Sequence, residues 1–241
     1  VMAQTANPYT YEQLTPEDYD RLNEELAGKD ALDIVRWAFQ QYGDDLVYSC
    51  SFGAEAMVLL DLISQVKPDA PIVFLDTNVH FPETYALIDR VRERYPRLRI
   101  DMVQPELTLA EQAAAHGEAL WDRDPDLCCQ IRKMDPLRRA ITGKTAWFSG
   151  LRREQSPTRA HLRYVNPDHN FAKVKICPLI HWKLDEIWMY IRTFQLPYNP
   201  LHDQHYPSIG CMHCTRPVQP GEDERAGRWA GLSKTECGLH K

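Results

Sequence analysis

From residue 46 to residue 103 short apolar runs alternate with helical periodicity, and this alternation restricts the possible folds more than any other feature of the chain. Leu46-Val47-Tyr48-Ser49-Cys50-Ser51 reads as a buried strand, and Phe52-Gly53-Ala54-Glu55 as a glycine turn into a helix that runs through Val66. Pro71 to Asp76 is a second strand, followed by a turn at Thr77 to His80 and a helix opened by Pro82, with Tyr85, Ile88 and Val91 every third residue. Leu98 to Val103 makes a third strand and Leu107 to Ala115 a further helix. Strands that alternate with helices predict an α/β fold, mainly a parallel sheet flanked by helices, with ligands gathered at the carboxyl ends of the strands.

Two helices precede this unit, Pro16 to Leu26 after the cap residue Thr15 and Ala31 to Tyr42 after Asp30, within an N-terminal stretch 8–43. Beyond it come a helix over 130–141, a strand Ala146 to Ser149, a short strand Lys173 to Ile176 and a helix Leu184 to Phe194. After Pro197 the chain turns rich in Pro, Gly and His, which predicts loops and a tail. The expected organisation is one α/β nucleotide-binding domain, residues 1–210, and a C-terminal segment, 211–241, with a mobile tail. No run of eighteen apolar residues is present, so no helix spans a membrane. Val1 to Asn7 lacks the basic start and apolar run of a secretory signal, so the expectation is a cytoplasmic protein.

Seven cysteines in such a protein point to ligands, nucleophiles or buried thiols rather than a disulfide framework. Cys50 and Cys177 sit singly in apolar runs and read as buried thiols. Vicinal Cys128-Cys129 projects its thiols in different directions, which suits neighbouring irons of one cluster better than a single zinc. With Cys211-x-x-Cys214 the pair totals four thiolates; zinc, or a redox dithiol at Cys211 and Cys214, reads the same spacing. Cys237, on a glycine-flanked tail, is expected to be exposed and movable, as a nucleophile must be when it is delivered to a bound substrate. His202, His205 and His213 read as loop histidines.

The formal charge of −6 argues against nucleic-acid binding, yet nine basic residues stand against two acids between Cys128 and Arg163. Such a block focuses a field for a small anion. Ser49, Ser51, Phe52, Gly53 and Glu55 place hydroxyls and free backbone donors at a helix N-terminus, where an anion or nucleotide is favoured; a helix cap with a packing glycine reads the same residues. Leu75, Asp76 and Thr77 end the second strand in the same crevice. Gly150-Leu151-Arg152-Arg153-Glu154-Gln155-Ser156 follows another strand, and its paired arginines suggest bidentate anion binding.

Taken together, Ser49 to Glu55, Leu75-Asp76-Thr77, Cys128-Cys129-x-x-Arg132-Lys133, Gly150 to Ser156, Tyr206 to Thr215, Gly221 to Trp229 and Glu236-Cys237-Gly238-Leu239-His240 resemble the sulfonucleotide reductases, specifically the assimilatory adenylyl-sulfate (APS) reductases. The resemblance implies an adenine-nucleotide α-hydrolase-like fold and a [4Fe-4S] cluster on Cys128, Cys129, Cys211 and Cys214. It also implies Cys237 as nucleophile and reduction of APS through a Cys237 S-sulfonate that thioredoxin or glutaredoxin resolves. Substrate contacts are then expected from Ser49 to Glu55, Leu75 to Thr77, Arg132, Lys133, Gly150, Arg152, Arg153, Gln155, Ser156, Arg225 and Arg228. Homo-oligomerisation is compatible with this reading. The 3′-phosphorylated nucleotide (PAPS), alone or beside APS, is the alternative substrate, and a zinc-binding nucleotide sensor or scaffold the alternative of another class. Ser51-Phe52-Gly53 lacks the second glycine of ATP-cleaving relatives, and Asn78-Val79-His80-Phe81-Pro82 departs from the glycine-containing turn of many members.

Overall fold

Local capping chemistry starts the chain's first helices where the sequence predicts them. In the computed structural model, which describes residues 6–240, α1 spans Pro16–Leu26 behind a reciprocal capping box between Thr15 and Asp18, and α2 spans Ala31–Tyr42 behind the Asp30 side chain. The first five residues of the leader reading, Val1 to Thr5, lie outside the described residues.

The elements then alternate as expected: β1 (Leu46–Ser49), α3 (Ala54–Val66), β2 (Pro71–Leu75), α4 (Pro82–Arg94), β3 (Arg99–Val103) and α5 (Leu109–His116). Two short helices, α6 (Leu120–Arg123) and α7 (Pro125–Cys129), lead into a π-helical turn, Gln130–Met134, and α8 (Asp135–Ala140). The single helix expected over 130–141 is therefore a composite, whose π turn carries Arg132 and Lys133 directly after the cysteine pair. Such turns recur at functional sites. Next come β4 (Ala146–Phe148), β5 (Val165–Asp168), β6 (Lys173–Ile176) and α9 (Leu184–Phe194).

The six strands form one sheet in the order β3-β2-β1-β4-β6-β5, parallel except where β5 pairs antiparallel with β6 at the edge. β5 is absent from the sequence reading because Asn166-Pro167-Asp168 looks like a turn. An edge strand tolerates Pro167, since a missing N–H there need break no ladder bond.

Both faces of the sheet are covered, as a parallel sheet requires. Leu46, Tyr48, Ile72, Phe74, Ala146 and Phe148 point to one face and join α1, α2, α3, α4 and α9 in the main core. The alternate residues Val47, Val73, Leu75 and Trp147 point to the other and pack with Leu137 of α8, Ile141 and Phe171. Strand order reverses between β1 and β4, so their carboxyl ends open a crevice at the topological switch point.

Candidate active site

The crevice between β1 and β4 is a cleft lined by Ser49, Ser51, Gly53 and Glu55 after β1, Leu75 at the end of β2, and Ser149 and Gly150 after β4. Phe52 holds the β1–α3 turn in a left-handed conformation (φ 57°) without being glycine. Its ring is buried edge-on against Phe74, 5.3 Å between centroids, so packing supports the strain and the side chain faces the core, not the cleft.

The remaining walls come from distant segments: Lys133 from the π turn, Arg159, and Arg225, Arg228 and Cys237 from the C-terminal segment. Met212 N–H donates to Val79 O (2.8 Å) and Trp229 N–H to Cys214 O (2.9 Å), which lays residues 211–229 against the loop after β2. A Cβ on Gly227 would lie 2.1 Å from Arg216 O, so only glycine lets these two backbones meet. Arg228 stacks over Trp229 at 4.7 Å, and its Nη1 donates to Ser208 Oγ (3.1 Å). Its Nε is buried without a partner among the described residues, and its guanidinium packs so closely on Gly210 that a Cβ there would lie 2.5 Å from Nη2.

The four predicted cluster cysteines line a second cavity beside the first, with Thr77, Val79, Trp121, His213 and Trp229. Lys133 and Trp229 border both cavities. Burial, then repulsion from neighbouring thiols, pushes Cys128 up to about 11 and Cys214 up to about 12. Burial opposes the charge of Lys133, but Cys211, Cys237 and Cys129 outweigh it and hold the ammonium above an ordinary lysine. Among the described residues no three His, Cys, Asp or Glu side chains converge as the ligands of one metal ion do. The four thiols are the candidate ligands that this cavity offers to a metal group. The indole Nε1 of Trp229, a residue that borders both cavities, is buried without a partner among the described residues.

Several residues expected to touch substrate are bonded to protein partners in this structure. Arg152, 1% exposed, is held by two carboxylates: Nε donates to Glu55 (2.9 Å) and Nη2 to both oxygens of Glu224 (3.2 Å each). Arg132 is equally buried and donates to Thr77 O, Leu107 O, Gln112 and Asn78, tying the loop after β2 to α5. Arg153 donates to Leu162 O, and Ser156 caps the 157–159 turn. Asp76 accepts from Tyr85 (2.7 Å), Gln104 (2.8 Å) and the Asn78 N–H (3.0 Å); burial would raise its pKa, but these donors keep it low. Thr77 Oγ1 lies 3.2 Å from Cys211 Sγ, on the thiol cavity and not in the cleft. Gln155 does line the cleft, and its amide donates to Glu55.

The tail is docked rather than exposed. Glu236 is buried, Leu239 packs against the Val47–Trp147 cluster, and the His240 ring lies 5.9 Å from and nearly parallel to that of Trp147, leaving Cys237 half-buried. Arg159, Glu224, Glu236 and His240 are cleft residues that the sequence reading does not single out. A signal existed for Arg159 in the basic block and for Glu236 and His240 in the Glu-Cys-Gly-Leu-His run.

Comparison with known proteins gives the chain's family. Residues 45–217 match the model of the phosphoadenosine phosphosulfate reductase domain. The adenosine 5′-phosphosulfate reductase of Shouchella clausii (strain KSM-K16) is 62% identical over 232 residues, covering 96% of each chain. The crystal structure of phosphoadenylyl-sulfate (PAPS) reductase from Candida auris, a phosphate complex, superposes with a TM-score of 0.74 at 33% identity, covering 84% of this chain and 98% of that one. For the fold alone, FMN adenylyltransferase of Candida glabrata is also similar, with a TM-score of 0.57 at 18% identity, over 86% of this chain and 70% of that one. The fold is thus of the adenine-nucleotide α-hydrolase type, and the chain belongs to the APS/PAPS reductase family of oxidoreductases.

Proposed function

We propose that this chain reduces adenosine 5′-phosphosulfate to sulfite and AMP, using Cys237 as nucleophile and a thioredoxin-class dithiol, or glutaredoxin, as reductant. The carrying observation is that a nucleotide-type crevice, the cations Lys133 and Arg228 and the Cys237 thiol meet in one cleft. The activity named for the 62% identical relative supports the same reading. One nucleotide-binding domain, residues 1–210, supplies the crevice, and residues 211–241 supply half the thiol cavity, the arginines and the tail.

Adenosine lies along Ser49 to Gly53 and Leu75, and the phosphosulfate points to Lys133 and Arg228. The Cys237 thiolate attacks the sulfate sulfur; the S–O bond to phosphorus breaks, its electron pair stays on the phosphate oxygen, and AMP leaves. Fixed positive charge at that oxygen lowers the barrier, because charge accumulates there in the transition state. One thiolate of the dithiol then attacks Cys237 Sγ to form a mixed disulfide, and sulfite departs with the S–S electron pair; the second thiolate attacks the reductant's own sulfur, closing its disulfide and releasing Cys237 as thiolate. Two electrons pass from dithiol to substrate.

The residues present fit a [4Fe-4S] cluster held by Cys128, Cys129, Cys211 and Cys214: four thiols share one cavity, which Lys133 borders. When bound, such a cluster supplies a compact anionic centre beside Lys133 and fixes the turn that carries it. No described helix is long and apolar enough to cross a membrane, and all seven cysteines are free. Free thiols suit a reducing compartment, and we place the reaction in the cytoplasm.

Cys237→Ser tests the assignment. The variant should keep APS binding and iron content while losing sulfite production; sulfite formed at the wild-type rate would overturn it. PAPS is the second reading, favoured by the likeness to the Candida auris enzyme. Rates with the two nucleotides under the same conditions decide between them.

A further inference from the structure

No hydrogen bond among the described residues holds the Cys237 thiol itself, so its position is set by its neighbours. Gly238 (φ 101°) turns the chain directly behind it, and a Cβ there would lie 3.1 Å from Met134 Sδ. Leu239 and His240 then bury against the Trp147 face of the sheet. That is an apolar anchor on one side of the nucleophile.

The anchor on the other side is ionic. The Glu236 carboxylate, 4% exposed, accepts from Arg159 Nε and Nη2 (2.9 Å each) in a bidentate pair. Thr158 Oγ1 donates to it at 3.0 Å and Arg225 Nη2 at 3.5 Å. Arg225 Nη2 also donates to Thr235 O (2.9 Å), so two guanidiniums grip consecutive residues ahead of Cys237.

We propose that Glu236 is a positioning residue that seats Cys237 in the cleft, an inference that rests on Cys237 being the nucleophile. The alternative is that Glu236 merely occupies a substrate anion's place on Arg159 and Arg225. Commitment of the donors argues against it. Arg159 spends Nε and Nη2 on Glu236 and Nη1 on Gln155 Oε1, whereas Lys133 and Arg228, which line the same cleft, have no carboxylate partner among the described residues. An incoming phosphosulfate therefore finds donors without evicting Glu236. A tail released at this end lets the thiol drift from the sulfur, and a misplacement of about 1 Å costs on the order of 100-fold in rate.

The test is single-turnover formation of the Cys237 S-sulfonate, followed by quenched mass spectrometry, together with steady-state kcat and KM. E236Q should sulfonate about 100-fold more slowly. Its KM for APS, AMP affinity, iron content and far-UV circular dichroism should stay at wild-type values, and hydrogen exchange over residues 231–240 should rise. E236D, which keeps the charge one methylene short, should recover part of the rate. Wild-type sulfonation in E236Q, or a lower KM with kcat retained, overturns the inference; the second result identifies Glu236 as a substrate surrogate. A wild-type chain that forms no adduct on Cys237 refutes the functional reading instead, so the two failures are separable.

Discussion

Replacing Arg152 by Met separates a structural arginine from a substrate ligand. The guanidinium is 1% exposed and holds Glu55 and Glu224, whose side chains are 16% and 20% exposed. Removing one partner of a buried charge network strands the others and costs about 3–5 kcal/mol. In a chain of this size each kcal/mol lowers Tm by about 2 °C, so the expected fall is roughly 6–10 °C. The loss should also depend on pH. Burial, with help from Glu55, already raises the Glu224 pKa above its ordinary 4.5 despite Arg152, and without Arg152 it rises further. A carboxyl raised on folding contributes stability that is full below its unfolded value and lost as pH rises through the folded one. The Tm deficit of R152M should therefore be smaller at pH 5 than at pH 8, read by differential scanning calorimetry of wild type and variant. A deficit below about 2 °C at both pH values, combined with a raised KM for APS, would refute the reasoning and return Arg152 to the substrate.

Two further outcomes follow from the tail and the thiol cavity. G238A must place a side chain at φ 101° against Met134, so the tail should lose its docked position; limited proteolysis should cut it faster than in wild type, with the far-UV spectrum unchanged. C214S should retain the fold but lose most of the iron and the visible absorbance of anaerobically purified protein. Full iron content in C214S would remove Cys214 from the ligand set.

Elements marked by local chemistry were legible in the sequence, and elements marked by distant partners were not. Thr15, Asp30 and Pro82 mark helix starts through bonds or dihedrals within a few residues, and the structure begins α1, α2 and α4 there. β5 was hidden because only its edge position, a property of the whole sheet, makes Pro167 tolerable. In the site, residue type told the chemistry but not the partner. Arg132, Arg152 and Arg228 look alike in sequence, yet the first two are engaged by carbonyls, amides and carboxylates brought in by the fold, and of the three only Arg228 lines the cleft. Docking of the tail was equally out of reach, since it depends on Trp147 and Arg159, each more than seventy residues away in sequence.

The most direct measurement is mass spectrometry of the protein after anaerobic incubation with APS and no reductant. The account predicts a sulfonate on the peptide that contains Cys237, absent in C237S and discharged as sulfite when reduced thioredoxin is added. A sulfonate on any other cysteine, or sulfite release from C237S, would contradict it.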